Sequence, residues 1–465
     1  MSDYSTYWEL VASRSDAELH RLALLKRLAD LLAADPQFRS AAITDPGEAA
    51  HLSSAYGCDF SATEIEEHST ALLAAGTGTG NANDEVRRYI DFVHAKLRLR
   101  DKTLACAMQP TFSAFDGWRE RQRSRLSSEI GEAARIIPHS LIAFELARGC
   151  SVGCSFCGID AARFGGAAAY EQYRGEWTGM LHGLRERFGP ALRSGFLYWG
   201  SDPLDNPDYL SFADDFRRIV GLHPQITTAI PLRNEQHTRA VLEATRGATL
   251  VPHRFSILSL NVFRRDLRTF TPDELLHVEL VLQHKEAEGL KANAGRNSYG
   301  KPNPVLVTAG GRDNIIAPTT IACVTGFLVN ICERRVRMIS PTAASAKWPN
   351  GYIVFEDRQY ADPVAFMEII DAMIERQSSQ SVGRDSRPRF REDLAFRRAA
   401  EGFELSSPAV THSFRDYGAL AAAVSMGDRT VSEIIGEAPS RGCSPGEELA
   451  FLTGVFNAGL IELAA

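Results

Sequence analysis

Apolar residues recur every three to four positions through the first part of the chain. Leu22, Leu25, Leu28, Leu31 and Leu32 keep that spacing in AELHRLALLKRLADLLAADP, which predicts an amphipathic helix ended by Asp-Pro. NDEVRRYIDFVHAKLRLRDK predicts another, and GTGTGNAN (76–83) reads as a flexible loop between them. That loop is not a phosphate cradle, because no strand precedes it and neither a Lys-Ser/Thr pair nor a G-x-G-x-x-G follows. Near residue 138 the pattern changes to short apolar runs alternating with amphipathic stretches. SLIAFEL (140–146), SGFLYWG (194–200), QITTAIPL (225–232) and RFSILSL (254–260) predict strands. AYEQYRGEWTGMLHGLRERFG, DYLSFADDFRRIVGL and NEQHTRAVLEATRG predict helices. PDELLHVELVLQHKEAEG predicts a long one, opened by Pro272 and an acidic first turn. Such alternation predicts an α/β fold with a parallel sheet or barrel. In those folds chemistry gathers at the carboxyl ends of strands, where loops 149–158 and 200–208 fall. Further on, IACVTGFLVNICERRVRMISP predicts two strands joined near CERR, and 375–393 reads as a polar linker. The tail from Thr430 predicts two short helices and a final strand.

A length of 465 residues suits two or three domains, and 44% hydrophobic content supplies their cores. The net charge of −7 argues against a generally basic nucleic-acid binder. No run approaches the roughly 18 apolar residues of a membrane span. MSDYSTYWELVASRSD lacks the basic-then-apolar order of a secretory signal. The expectation is a cytoplasmic protein with no nucleic-acid or membrane partner, in which thiols stay reduced. Eight cysteines in 465 residues are too sparse for a disulfide scaffold.

Three of them crowd into ELARGCSVGCSFCG (145–158): Cys150, Cys154 and Cys157, spaced C-x₃-C-x₂-C. Soft thiolates select zinc, copper(I) or iron–sulfur clusters. Structural zinc wants four ligands, usually with paired C-x₂-C units, and here there is no second pair and no histidine close by. Three thiolates on one tight loop suit a cubane cluster with one iron left open. The backbone N–H groups exposed by Gly149, Gly153 and Gly158 would stabilise its anionic sulfurs. A zinc site completed from elsewhere is the alternative.

With Phe156 as the aromatic, C-x₃-C-x-Φ-C resembles the signature of radical S-adenosylmethionine (SAM) enzymes. The resemblance implies one [4Fe–4S] cluster on Cys150, Cys154 and Cys157, with SAM chelating the open iron. It also implies reductive cleavage of SAM to a 5′-deoxyadenosyl radical, the cofactor's own chemistry. The family's G-G-E-P-type turn, which binds the SAM amino group, corresponds here to WGSDPLDNPD. It departs in two letters. Gly200 and Ser201 keep a small turn, and Asp202 stands for the glutamate as ammonium acceptor. Thr228, Arg254 and Ser256, at later strand ends, are candidates for ribose or methionine-carboxylate contacts.

Longer stretches, FELARGCSVGCSFCG, YWGSDPLDNPDY and RFSILSLNVF…FTPDELLHVELVLQHKEAEGLKANAGRN, resemble radical SAM maturases of ribosomally made peptides, and among them the proteusin-type peptide epimerases. The resemblance spans roughly 110–360. It implies a partial (β/α)₆ barrel over 136–360, a helical N-terminal domain over 1–135 and a small helical or winged-helix C-terminal domain over 361–465. The implied reaction is L-to-D epimerisation: Cα–H abstraction, then hydrogen return from a thiol. Cys323 and Cys332, on or beside the late strand pair, are the candidate donors. The resemblance places a cysteine just after the second of these strands, where this chain has Thr342, whose O–H bond is too strong to yield hydrogen to a carbon radical. Cys58 and Cys106 read as buried small hydrophobes. Only three cysteines follow residue 158, too few for auxiliary clusters. Implied partners are a precursor peptide with its leader and a reductant such as flavodoxin or ferredoxin. Residues 31–64 resemble nitrile-hydratase-type leader segments, and the tail resembles the recognition elements that take a leader as an added strand. The alternatives are a splicing or cross-linking radical SAM maturase and, further off, a zinc-stabilised leader-binding module.

Overall fold

All six residues of Ser140–Glu145 are buried, as expected of a strand covered on both faces. The computed structural model describes residues 5–77, 83–107, 111–284, 286, 293–297, 319–378, 380–437 and 442–464. The loop reading for GTGTGNAN therefore lies largely outside the described residues, as does the side chain of Cys106. In chain order the strands are β1 (Ser140–Glu145), β2 (Thr227–Thr228), β3 (His253–Ile257), β4 (Val278–Leu282), β5 (Val324–Asn330), β6 (Arg335–Pro341), β7 (Tyr352–Gln359), β8 (Arg387–Phe390), β9 (Ala395–Ala399), β10 (Gly402–Ser406), β11 (Thr411–Arg415) and β12 (Ile461–Ala464).

Among the described residues they form four sheets, none closed into a barrel: β1-β5-β6-β7, β2-β3-β4, β9-β10-β11 and β8-β12. β1 and β5 run parallel, β5-β6 and β6-β7 antiparallel, and β2-β3-β4 wholly parallel. SGFLYWG is not a full strand. It makes one parallel bridge, Phe196 to Ala143, on the free edge of β1. Tyr198 then bonds through its hydroxyl to Thr227 of β2 at 2.9 Å, linking the two main sheets by side chains.

One expected helix is absent. In PDELLHVELVLQHKEAEG, Pro272–Leu275 form a single turn capped by Thr271, and Val278–Leu282 become β4 beside β3. Val278, Leu280 and Leu282 alternate with Glu279 and Val281 as readily as they fit a helix, and pairing with β3 decides between the two. The expected linker at 375–393 is also structured at both ends, by the helix Pro363–Ser378 and by β8.

Ile142 and Phe144 of β1 and Phe327 and Val329 of β5 pack under three helices, Ser113–Ile130, Tyr170–Phe188 and Pro363–Ser378, through Phe115, Trp118, Trp177, Phe366 and Ile370. This core runs across both 135 and 360, the expected domain limits. Likewise Leu25, Leu28, Leu31, Leu32 and Phe38 share a core with Phe255 and Ile257 of β3. The leucine stripe of the front helices is thus interior packing. On the opposite face of β1 and β5, Ala143, Val324 and Leu328 gather with Phe196, Trp199, Ala322 and Ile339. This inner face lies beneath the cysteine loop. The C-terminal part has its own core, built from β10, the helices Gly418–Met426, Val431–Ile435 and Pro445–Asn457, and β12. Among the described residues no helix is long and apolar enough to cross a membrane.

Candidate iron–sulfur and SAM site

The chain leaves β1 at Glu145 and returns to the helix Tyr170–Phe188 through the cysteine loop. Its two limbs are laced together at the base. Arg148 N–H donates to Gly166 O at 2.9 Å, Gly165 N–H to Arg148 O at 2.7 Å, and Cys150 N–H to Ala162 O at 2.9 Å. Cys154 and Cys157 sit on the tip, joined by a turn in which Cys157 N–H donates to Cys154 O at 3.3 Å. All three thiols are half-buried and unpaired with one another. Two receive backbone donors: Ala161 N–H reaches Cys157 Sγ at 3.4 Å, and Val152 N–H points to the Cys150 thiol. Donors of this kind stabilise cluster thiolates. Burial pushes Cys150 up to about 11, with Asp202 and Asp205 adding to it, and raises Cys154, with Cys157 adding to it. The free thiols of Cys150 and Cys154 are therefore protonated at neutral pH, and metal binding would release those protons. Among the described residues no three His, Cys, Asp or Glu groups converge on one point as a mononuclear metal would need. A cubane asks for less convergence, since each cysteine binds a different iron. The donor set and its N–H groups fit a cluster.

The turn after Phe196 buttresses this loop. Gly200 N–H donates to Glu145 Oε1 at 2.9 Å, and a Cβ on Gly200 would lie 3.1 Å from that same oxygen. Asn206 Nδ2 donates to Leu146 O at 3.0 Å and to Ala168 O at 2.9 Å, tying both limbs of the loop. Asp205 accepts from Ser151 N–H at 2.9 Å, from the Ser151 hydroxyl, and from Arg233 at 2.7 Å. Glu145 is buried, and its second oxygen accepts from Asn330 Nδ2 at 3.2 Å. Burial raises its carboxyl above the usual range, against these two hydrogen bonds.

Asp202 is 6% exposed and already holds three donors: Leu204 N–H at 3.0 Å, the Thr228 hydroxyl at 2.7 Å and Ala229 N–H at 2.7 Å. Of the roughly four acceptor positions of a carboxylate, about one is left for an ammonium. Burial pushes Asp202 up to about 6, opposed by those three donors. Ser201 is buried beside it. Thr228 is fully buried, donates to Asp202 and accepts from Ile230 N–H at 3.1 Å, so its hydroxyl serves the turn. Arg254 is exposed on β3 and Ser256 is half-buried. Arg254 lies in register with Thr227 and Glu279, and Ser256 with Val281. Phe156 is half-buried on the loop tip.

The two donor candidates occupy different faces. Cys323 packs on the inner face with Ile159 of the cysteine loop and Tyr198. Ile321, two residues earlier, sits against Gly158. Burial pushes the Cys323 thiol up to about 12, opposed by Arg254, so it stays S–H. Cys332 follows β5, packs against the helix-covered core, and has its sulfur 3.8 Å from Leu146 O. Thr342 donates to Glu129 at 2.8 Å and is buried. Cys58 is fully buried, as expected of a small hydrophobe, with its sulfur 3.6 Å from Leu24 O.

Sequence reasoning misses Glu145, Asn206, Asp205, Asn330 and Arg296, whose guanidinium donates to Cys154 O at 2.9 Å. The first carries a signal, an acid closing the apolar run Leu141 to Phe144, and Asp205 and Asn206 stand within the turn WGSDPLDNPD. Asn330 and Arg296 carry none.

No family model matches the chain, and no solved structure does. An uncharacterized protein, y4wI, of Sinorhizobium fredii (strain NBRC 101917 / NGR234) is 35% identical over 472 residues, covering 98% of this chain and 90% of that protein. At that identity and coverage, the chain belongs to the same family as y4wI.

Proposed function

We propose that this protein is a radical SAM maturase of a ribosomally made peptide, and specifically an L-to-D epimerase. The observation that carries the reading is the strapped loop bearing Cys150, Cys154 and Cys157, with N–H groups on its sulfurs and the Gly200–Asp202 turn packed against its base. When bound, a [4Fe–4S] cluster and SAM would supply a 5′-deoxyadenosyl radical able to remove a peptide Cα hydrogen. The three cysteines would hold three irons. Gly200 and Ser201 would keep the turn small beside SAM, and the remaining acceptor position of Asp202 would take its ammonium. Arg254, exposed on β3, is available to a carboxylate. Cys323 is the better donor of the two candidates. It shares the inner face with the loop, whereas Cys332 packs against the helix-covered core; burial keeps the hydrogen on sulfur, the form that can return it, in both. Electrons would come from flavodoxin or ferredoxin. The leader would dock on β11, whose one described strand partner is β10, as an added strand beside the helix Pro445–Asn457.

The test is anaerobic reconstitution followed by iron and sulfide analysis, then reduction with SAM and a candidate precursor in D₂O. Four iron, four sulfide, 5′-deoxyadenosine and a +1 Da shift at an inverted residue are expected. Deoxyadenosine with a mass loss and no deuterium would replace epimerisation by splicing or cross-linking. Zinc without sulfide would return the chain to a leader-binding module.

A further inference from the structure

The tip of the cysteine loop is held by a segment about 140 positions further along the chain. Arg296 lies in the short turn Gly295–Asn297. Its backbone N–H donates to Cys157 O at 2.9 Å. Its guanidinium donates to Cys154 O at 2.9 Å, to Ala161 O, and to Asp160 Oδ1 at 2.7 Å. One arginine thus grips the tip at two carbonyls and a carboxylate, a use of its planar fork that lysine cannot copy. Gly295 makes the approach possible. It adopts φ +57°, and a Cβ there would fall into Cys157 O and Gly158. Behind it, Gly295 N–H donates to Pro349 O at 2.7 Å, so the clasp is anchored to the body of the protein. Asp160 takes a left-handed φ of +52°, one that aspartate tolerates better than most residues, and this places its carboxylate beside the guanidinium.

We infer that Arg296 is a positioning residue for the cluster: it orders the loop tip and raises the reduction potential of the cluster bound there. The inference rests on the radical SAM reading. Reduction adds one negative charge to a site already ringed by thiolates. A fixed guanidinium next to it stabilises the reduced form, and Asp160 partly offsets that effect. The two side chains therefore act on the potential with opposite signs, while both help to order the tip.

The experiment is a redox titration followed by electron paramagnetic resonance on full-length protein reconstituted with iron(II) and sulfide. It compares wild type with Arg296→Gln, Arg296→Lys and Asp160→Asn, with iron and sulfide measured for each. Arg296→Gln should lower the reduction equilibrium tenfold or more, about 59 mV for one electron, and Asp160→Asn should raise it. Arg296→Lys should keep a near-wild-type potential but load less iron, because it retains the charge and loses the fork. If Arg296→Gln holds no cluster, the other two variants carry the test: a raised potential in Asp160→Asn beside an unchanged potential and lower iron content in Arg296→Lys supports the inference, and an unshifted Asp160→Asn overturns it. Wild type that loads its cluster, with every variant at the same potential, overturns the inference and leaves the radical SAM reading standing. Wild type that binds no iron and sulfide overturns that reading and this one with it.

Discussion

Asp202 offers a test that needs neither cluster nor substrate. Its carboxylate is 6% exposed and accepts from Leu204 N–H, the Thr228 hydroxyl and Ala229 N–H. Burial nevertheless outweighs those bonds and pushes it up to about 6, from 3.8. A carboxyl raised in the folded state binds its proton more tightly there than in the unfolded chain, so stability falls as pH rises between those two values. A rise of that size corresponds to about 3 kcal/mol of penalty, fully present at pH 8 and roughly half developed at pH 5. Asp202→Asn removes that penalty. It also turns an amide N–H₂ toward Ala229 N–H, where a buried unpaired donor costs about 1–3 kcal/mol at any pH. At pH 8 the first effect equals or exceeds the second. At pH 5 less penalty is there to remove, so the variant should be less stable than wild type by about 1.4 kcal/mol more than at pH 8. Urea unfolding of metal-free wild type and variant at the two pH values reads this directly. An equal difference at both would mean that Asp202 is ionised throughout and that burial does not dominate its carboxyl.

Other outcomes follow from the same geometry. Cys323→Ala should still form 5′-deoxyadenosine but lose deuterium incorporation and inversion, whereas Cys332→Ala should keep both; mass spectrometry of the peptide in D₂O decides, and the reverse pattern would make Cys332 the donor. Glu145→Ala strands the buried Gly200 N–H and should cost about 1–3 kcal/mol while weakening SAM binding measured by calorimetry. Glu145→Gln keeps a carbonyl for that N–H and should lose less on both counts; equal losses would show that the acceptor is not what matters. A leader peptide should slow amide hydrogen exchange in Thr411–Arg415 and Pro445–Asn457, and protection confined to residues 16–77 would move the docking site to the front helices.

How much of this was legible in the sequence depended on distance along the chain. That Cys150, Cys154 and Cys157 share one loop could be read because eight positions cannot carry them far apart. β1 and β5 could be read because nearly continuous apolar runs between turn signals leave little else to form, and β6 because Val336 and Met338 alternate with Arg335 and Arg337. HVELVLQH could not, since its apolar positions satisfy both periods and only the presence of β3 chooses between them. Thr228 looked free to meet a ribose. That its hydroxyl is spent on Asp202 depends on a turn folding back across 26 positions. Arg296 was invisible for the same reason in stronger form, because its partners Cys154 and Ala161 are 142 and 135 positions away.

That separation bears on how the site comes into being. A loop carrying Gly149, Gly153 and Gly158 has little side-chain packing of its own and much backbone freedom to lose. Beyond the backbone bonds between its own limbs, its order comes from polar contacts supplied by other parts of the chain: Asp205 and Asn206 at its base, Asn330 through Glu145 beside it, and Gly295 with Arg296 at its tip. Each set arrives from a different element, and the Gly295–Arg296 pair is synthesised well after the cysteines. Until it is in place, the Cys154 and Cys157 thiols lack the clasp that limits their separation, and a cluster would itself have to supply the ordering. Stable cluster binding should therefore follow completion of the fold through Gly295 and Arg296, although every predicted ligand lies within the first 157 residues.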